Sequence, residues 1–259
     1  MTVLVFDIET VPDLEAGRKL YDLEGLSDAE TAQAMFALRR QKTGRDFLPH
    51  YLQQIVAISL VMEKNAHLKV WSLGDESSNE AELIERFFTG LDKHTPNLVS
   101  WNGSGFDLPV LHYRALKHGI SAPSYWDAGE KNQGFRWNNY LNRFHYRHLD
   151  LMDVLAGYQN KAFAPLDEIA SMLGFPGKMG MHGGRVSEEY LAGNIKDIRN
   201  YCETDVLNTY CVYLKFELMR GNLSEEAYLA AIQCVRYTLE AEDKPHLDAF
   251  LQAMPLVSG

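Results

Sequence analysis

Residues 3–11 read Val-Leu-Val-Phe-Asp-Ile-Glu-Thr-Val. The almost continuously apolar run from Val3 to Ile8, β-branched at several places, predicts a strand buried on both faces. Because side chains alternate along a strand, Asp7 and Glu9 share one face while Phe6 and Ile8 share the other. Two carboxylates together at the end of an apolar strand are unfavourable unless a cation neutralises them. Hard oxygen ligands of this kind select Mg²⁺, Mn²⁺ or Ca²⁺. Alone, the pair has a second reading, as a solvated strand end.

Outward from this strand, residues 13–50 change character, with acidic clusters, a helix expected from about Asp28 to Arg40, and a Gly44 break before Pro49. They read as an insertion. Strands are expected at about Ile55 to Val61 and Leu68 to Trp71, then a helix over Asn79 to Leu91. A short strand from Leu98 to Trp101 runs into the turn Asn102-Gly103-Ser104-Gly105, followed by a helix from about Leu108 to His118. After an aromatic and basic stretch, Tyr125 to Arg147, a strand end and helix are expected over His148 to Leu155. The remainder is helical by its spacing of three and four, near Leu166 to Leu173, Ile195 to Met219, Glu225 to Leu239 and Leu247 to Ala253. Three meandering strands, then alternation, then helices predict an α/β fold: a mixed β-sheet flanked by helices, with a helical C-terminal part.

Two further acids stand out. Asp107 follows the glycine turn and starts a helix, where capping is its ordinary use. The turn is not a dinucleotide loop, because Leu108 stands where that fingerprint wants Gly or Ala, and Gly177-Lys178 is followed by Met179, which excludes a Walker loop. Asp205 lies in a helix at about 100° per residue among Ile198, Cys202, Thr209, Val212 and Phe216. A carboxylate in an apolar stripe needs a cation, an Arg or backbone donors. Glu203, on another face, reads as solvated.

Weaker signals accompany these. Tyr125, Trp126, Phe135, Trp137, Tyr140, Phe144 and Tyr146 interleave with Lys131, Arg136, Arg143 and Arg147. Such a pattern suits stacking of unpaired bases, though aromatic residues are more often core. His145, His148 and Asp150 offer no fourth zinc ligand nearby in sequence. Asp150 with Asp153 reads as a helix start. Residues 177–184 read as a glycine-rich loop, and Cys202, Cys211 and Cys234 as small buried residues. With 46% hydrophobic and 23% charged residues the chain is globular, and its formal charge of −10 argues against a protein that coats nucleic acid nonspecifically. No apolar run approaches the roughly 18 residues of a membrane span. The start carries no basic segment ahead of its apolar run, so a cytoplasmic protein without a membrane partner is expected.

The D-x-E pair Asp7/Glu9, the N-x-x-x-F-D run Asn102 to Asp107 and the Y-x-x-x-D run Tyr201 to Asp205, in this order, resemble the three motifs of the DEDD exonucleases, in their tyrosine branch (DEDDy). Within that group the chain is similar to stand-alone bacterial proteins related to the proofreading exonuclease domain of family B DNA polymerases, of the ribonuclease H-like superfamily. The resemblance runs from Val3 to Leu214 and includes Tyr140 to Leu155 and Leu173 to Lys178. It implies an exonuclease domain over 1–221, interrupted by the insertion; residues 222–259, outside the resemblance, are expected to form a helical extension packed on the same domain. It further implies two ions, Mg²⁺ or Mn²⁺, with Asp7, Glu9 and Asp205 on one and Asp7 with Asp107 on the other, and Tyr201 orienting the attacking water. The implied reaction is hydrolysis of single-stranded nucleic acid, DNA before RNA, from a free 3′ end to nucleoside 5′-monophosphates. Asn102, Phe106, Tyr140 and Arg143 are the expected substrate contacts. An exoribonuclease on the same fold and a catalytically silent nucleic-acid-binding module remain open alternatives.

Overall fold

The computed structural model describes residues 2–255. Five strands, β1 (Thr2–Pro12), β2 (Gln53–Lys64), β3 (His67–Ser72), β4 (Asn97–Ser100) and β5 (His148–Asp150), form one sheet in the order β3-β2-β1-β4-β5. The first three pair antiparallel, while β1–β4 and β4–β5 are parallel. Asn65 and Ala66, both at positive φ, make the tight β2–β3 turn, a backbone hand that matches the strand twist. Parallel neighbours need crossovers. These are α3 (Glu80–His94) before β4 and α4 (Asp107–His118) before β5. Both β1 and β2 extend beyond their apolar runs, because ladder pairing continues to Pro12↔Gln53 at one end and Thr2↔Lys64 at the other.

Strand alternation sorts β1 between two cores. Leu4, Phe6 and Ile8 pack with Ile84 and Phe87 of α3 and Leu111 of α4. Val3 and Val5 face Val206, Leu207 and Tyr210 of α9 (Ile195–Met219). The same alternation carries Asp7 and Glu9 to the α9 side. Around α9 lie α7 (Leu166–Met172), α8 (Val186–Leu191), α10 (Glu225–Ala241) and α11 (Pro245–Ala253). Ile232, Val235 and Leu239 of α10 and Leu247 and Phe250 of α11 belong to the same core as Val3 and Val5. The short helix α5 (Pro123–Trp126) precedes the loop leading to β5, and α6 (Leu151–Leu155) follows that strand directly.

Residues 13–50 form α1 (Leu14–Tyr21) and α2 (Asp28–Thr43) around a small core of Met35, Leu48 and Leu52. Ser27 and Glu30 start α2 with a reciprocal capping box, and Gly44 ends it at φ 74°, which a glycine adopts without steric cost. The helix therefore runs three residues past Arg40. Among the described residues, no helix is long and apolar enough to cross a membrane.

Candidate active site

Asp7 and Glu9 lie under α9 at the point where β1 shifts register against β2, between Glu9 and Thr10. Such a bulge bends the strand and re-aims its side chains. Carboxylate oxygens of Asp7 and Glu9 and the Cys202 sulfur all fall within 4.8 Å of one another. The Cys202 thiol donates to the Asp7 carbonyl and carboxylate oxygens, each at 3.5 Å.

Asp107 arrives from the turn after β4, the strand beside β1. After β4 the chain turns through Asn102, at φ 63°, and the Asn102 and Ser104 N–H groups donate to the Asp150 carboxylate at 2.9 Å each. A side chain at Gly103 would collide with Ser100, so the turn holds only with glycine there. Asp107 is the first residue of α4, not its cap, and its buried carboxylate accepts from the backbone N–H of Ile8. That bond ties α4 to β1 beside Asp7. On α9, the Tyr201 hydroxyl hydrogen-bonds the Asp205 carboxylate one turn below it.

The four carboxylates repel one another. Burial, then the charges of Asp107, Glu9 and Asp205, push the Asp7 carboxyl well up, against the Cys202 hydrogen bond. Burial and the charges of Asp205 and Asp107 raise Glu9. Burial also lifts Asp107 to about 7, and Asp205 to about 6 despite the Tyr201 hydrogen bond and the charge of Lys178. Burial and the charges of Asp205 and Glu9 push the Tyr201 phenol up, and burial with the charge of Asp7 does the same to the Cys202 thiol. Among the described residues, no Lys or Arg is ion-paired with Asp7, Glu9, Asp107 or Asp205. An all-carboxylate donor set that burial and mutual repulsion both destabilise fits hard divalent cations.

Other expectations fare differently. Glu203 is not solvated. It is 6% exposed and accepts from the Ser72 N–H and hydroxyl, both at 2.9 Å, and pairs with His246 and Lys244, because β3 and α11 close over its face of α9. Tyr140 is only 2% exposed: it stacks on Tyr125 and donates its hydroxyl to the Pro96 carbonyl at 2.7 Å, and it lines the same cavity as Asn102 and Arg143. Packing, not base stacking, uses this aromatic. The exposed Arg143 is forked onto Asp153 and borders, with Asn102, a cavity of 450 Å³ beside the turn. Phe106 lies apart from it, half-buried against Phe47 and His50. His148 bonds Ser100, His145 accepts from the Asn139 N–H, and Asp150 caps α6, so the three make no zinc cluster. Cys202 is buried as its residue type suggests, but its contact with Asp7 was unforeseen. Its place three residues before Asp205, in the same stripe, was the available signal.

A mixed five-stranded sheet with helices on both faces is the ribonuclease H-like fold of polymerase-type exonuclease domains. The family of predicted 3′–5′ exonucleases related to the exonuclease domain of PolB matches residues 45–254, and the chain belongs to it. The matched residues include α10 and α11, well beyond Leu214, whereas β1 with Asp7 and Glu9 precedes them. A DNA polymerase of Pyrococcus glycovorans is 26% identical over 66% of this chain and 23% of its own length. The catalytic subunit of DNA polymerase epsilon from Arabidopsis thaliana is 22% identical over 99% of this chain and 13% of its own. The chain thus spans less than a quarter of these curated relatives. Among solved structures, the family B DNA polymerase of Pyrobaculum calidifontis superimposes with a TM-score of 0.50 at 17% identity, over 93% of this chain and 28% of that one.

Proposed function

We propose that this chain is a 3′–5′ exonuclease that releases nucleoside 5′-monophosphates from single-stranded DNA. The carrying observation is the convergence of Asp7, Glu9, Asp107 and Asp205 from β1, α4 and α9 into one mutually repelling group with Tyr201 at its edge. Asp7, Glu9 and Asp205 would hold one Mg²⁺ or Mn²⁺ and Asp7 with Asp107 a second, supplying water activation and charge neutralisation at the phosphate.

The chain's own groups have separable tasks. Cys202 keeps its proton and donates it to Asp7, which fixes the orientation of the carboxylate that both ions would share. Tyr201 stays a neutral phenol. With its proton committed to Asp205, its oxygen lone pair is the acceptor that orients an attacking water. Attack at phosphorus breaks the bond to the departing 3′ oxygen, giving a shortened strand and a 5′-monophosphate. The segments 1–221 and 222–259 act as one body in this reading, since α10 and α11 complete the core beneath α9. Asp7→Ala, Asp107→Ala and Asp205→Ala should each lower turnover by at least about a thousandfold, as several kcal/mol of charge stabilisation are lost. A near-parental rate in any one removes that residue from the proposed site.

A further inference from the structure

The insertion carries a surface that the carboxylate site does not use. Its segment Arg39-Arg40-Gln41-Lys42-Thr43-Gly44-Arg45-Asp46-Phe47 places four cations within seven residues of a chain whose formal charge is −10. Arg40 is paired with Asp46, and Arg39 donates to the Phe47 carbonyl at 2.9 Å. Lys42 and Arg45 are exposed and have no carboxylate partner among the described residues. Phe47 is 57% exposed although Leu48 beside it is buried with Met35 and Leu52, so the backbone is anchored while the ring is presented outward.

That ring sits at the edge of the catalytic turn. Phe47 and Phe106 have centroids 5.3 Å apart, His50 lies 5.8 Å from Phe106, and His50 also hydrogen-bonds the Gly105 carbonyl at 2.9 Å. Phe106 immediately precedes Asp107. Seven residues further along α4, Tyr113 meets Tyr51 with centroids 6.2 Å apart, both about half exposed. Seven helical residues rise about 10 Å, the length of about three stacked bases. Exposed rings beside unpaired cations are the two parts a single strand requires, faces for its bases and charge for its phosphates. A strand with its end at Asp107 would have Phe106, and Phe47 against it, within reach, with Arg45 two residues before Phe47 in the chain.

Resting on the exonuclease reading above, we infer that the insertion is a strand-binding arm. Phe47, with Phe106 and His50, stacks bases of single-stranded DNA leading into the carboxylate site, and Lys42 and Arg45 contact its phosphates. The test is fluorescence anisotropy of the full chain with a labelled oligothymidylate in chelator, so that binding is read without hydrolysis. Phe47→Ala should weaken binding about tenfold, the size of one lost stack, and Phe47→Trp should restore it. The double variant Lys42→Glu/Arg45→Glu, at exposed positions, should reduce the salt slope by at least about 1.4, as for two lost phosphate contacts. The double variant should keep the parental turnover on a thymidine dinucleotide, whose single phosphate is the one hydrolysed and leaves none for Lys42 or Arg45. Parental affinity in both Phe47→Ala and the double variant overturns the inference. So does tighter binding of oligouridylate than of oligothymidylate, or an equal loss by the double variant on the dinucleotide. A parent that binds the strand through these residues but hydrolyses nothing would sink the exonuclease reading alone.

Discussion

Replacing Arg114 by Met should loosen the joint between the strand carrying Asp7 and the helix carrying Asp107. Arg114, on α4, is 2% exposed; its Nε and Nη2 donate to Glu80 at the start of α3, and its Nη1 to Asp13 just past β1. Methionine keeps much of the length and removes the charge. Breaking a buried pair this way costs about 3–5 kcal/mol, because the partner carboxylates stay buried. The low end applies here: Glu80 keeps His118 and the Ile55 N–H, and Asp13 keeps Lys117 and the Ala16 N–H. About 3 kcal/mol against an unfolding entropy near 0.5 kcal/mol/K for a chain of this length lowers Tm by roughly 6 °C. Burial alone would raise the Asp13 carboxyl, yet hydrogen bonds from Lys117 and Arg114 outweigh it and hold that carboxyl below its ordinary range. A depressed carboxyl contributes stability above its unfolded pKa, near 4, and loses it as pH falls through the folded value. The deficit of Arg114→Met should therefore be full at neutral pH and shrink below about pH 4. Thermal unfolding followed by circular dichroism at several pH values measures both. A variant melting within about 1 °C of the parent at neutral pH would show that the network contributes nothing net.

Tyr201→Phe removes one hydroxyl and should lower turnover roughly ten- to a thousandfold while leaving metal titrations unchanged; parental turnover would return Tyr201 to a packing role. Asp107 and Asp205, raised by burial to about 7 and about 6, favour the folded state when protonated. That contribution is whole below about pH 4 and is lost as pH rises through about 6 to 7, so Mg²⁺ or Mn²⁺ should raise Tm more at about pH 8 than at about pH 5.5. Equal gains at both would refute the repelling cluster. Tyr140→Phe should leave substrate affinity untouched and cost about 1 kcal/mol of stability, the hydrogen bond to Pro96; a raised KM without destabilisation would restore it as a substrate contact.

Much of the site was legible because its residues obey local periodicities. The period of two put Asp7 and Glu9 on one face, and the helical period put Asp205 in the buried stripe with Tyr201 a turn before it. What failed depended on partners distant in the chain. Glu203 reads as solvated from α9 alone; it is buried because Ser72, 131 residues away, and His246, 43 residues away, meet it. Arg114 joins acids 34 and 101 residues distant, a pairing no local pattern signals. Tyr140 misled because an aromatic and basic stretch has the same composition whether its rings stack on bases or, as here, on Tyr125.

The most direct measurement is digestion of matched single-stranded DNA, duplex DNA and RNA, each labelled at its 5′ end, with Mg²⁺ or Mn²⁺, beside a chelator control and Asp7→Ala. The expected result is a ladder of labelled DNA shortened stepwise from the 3′ end, with nucleoside 5′-monophosphates released. Single strands should be cut faster than blunt duplex, because opening the terminal pair costs energy. The ladder should vanish with chelator and with Asp7→Ala. A ladder that persists under either condition, release of the 5′ label as a mononucleotide, or no digestion of any strand with metal present would contradict a metal-dependent 3′–5′ exonuclease.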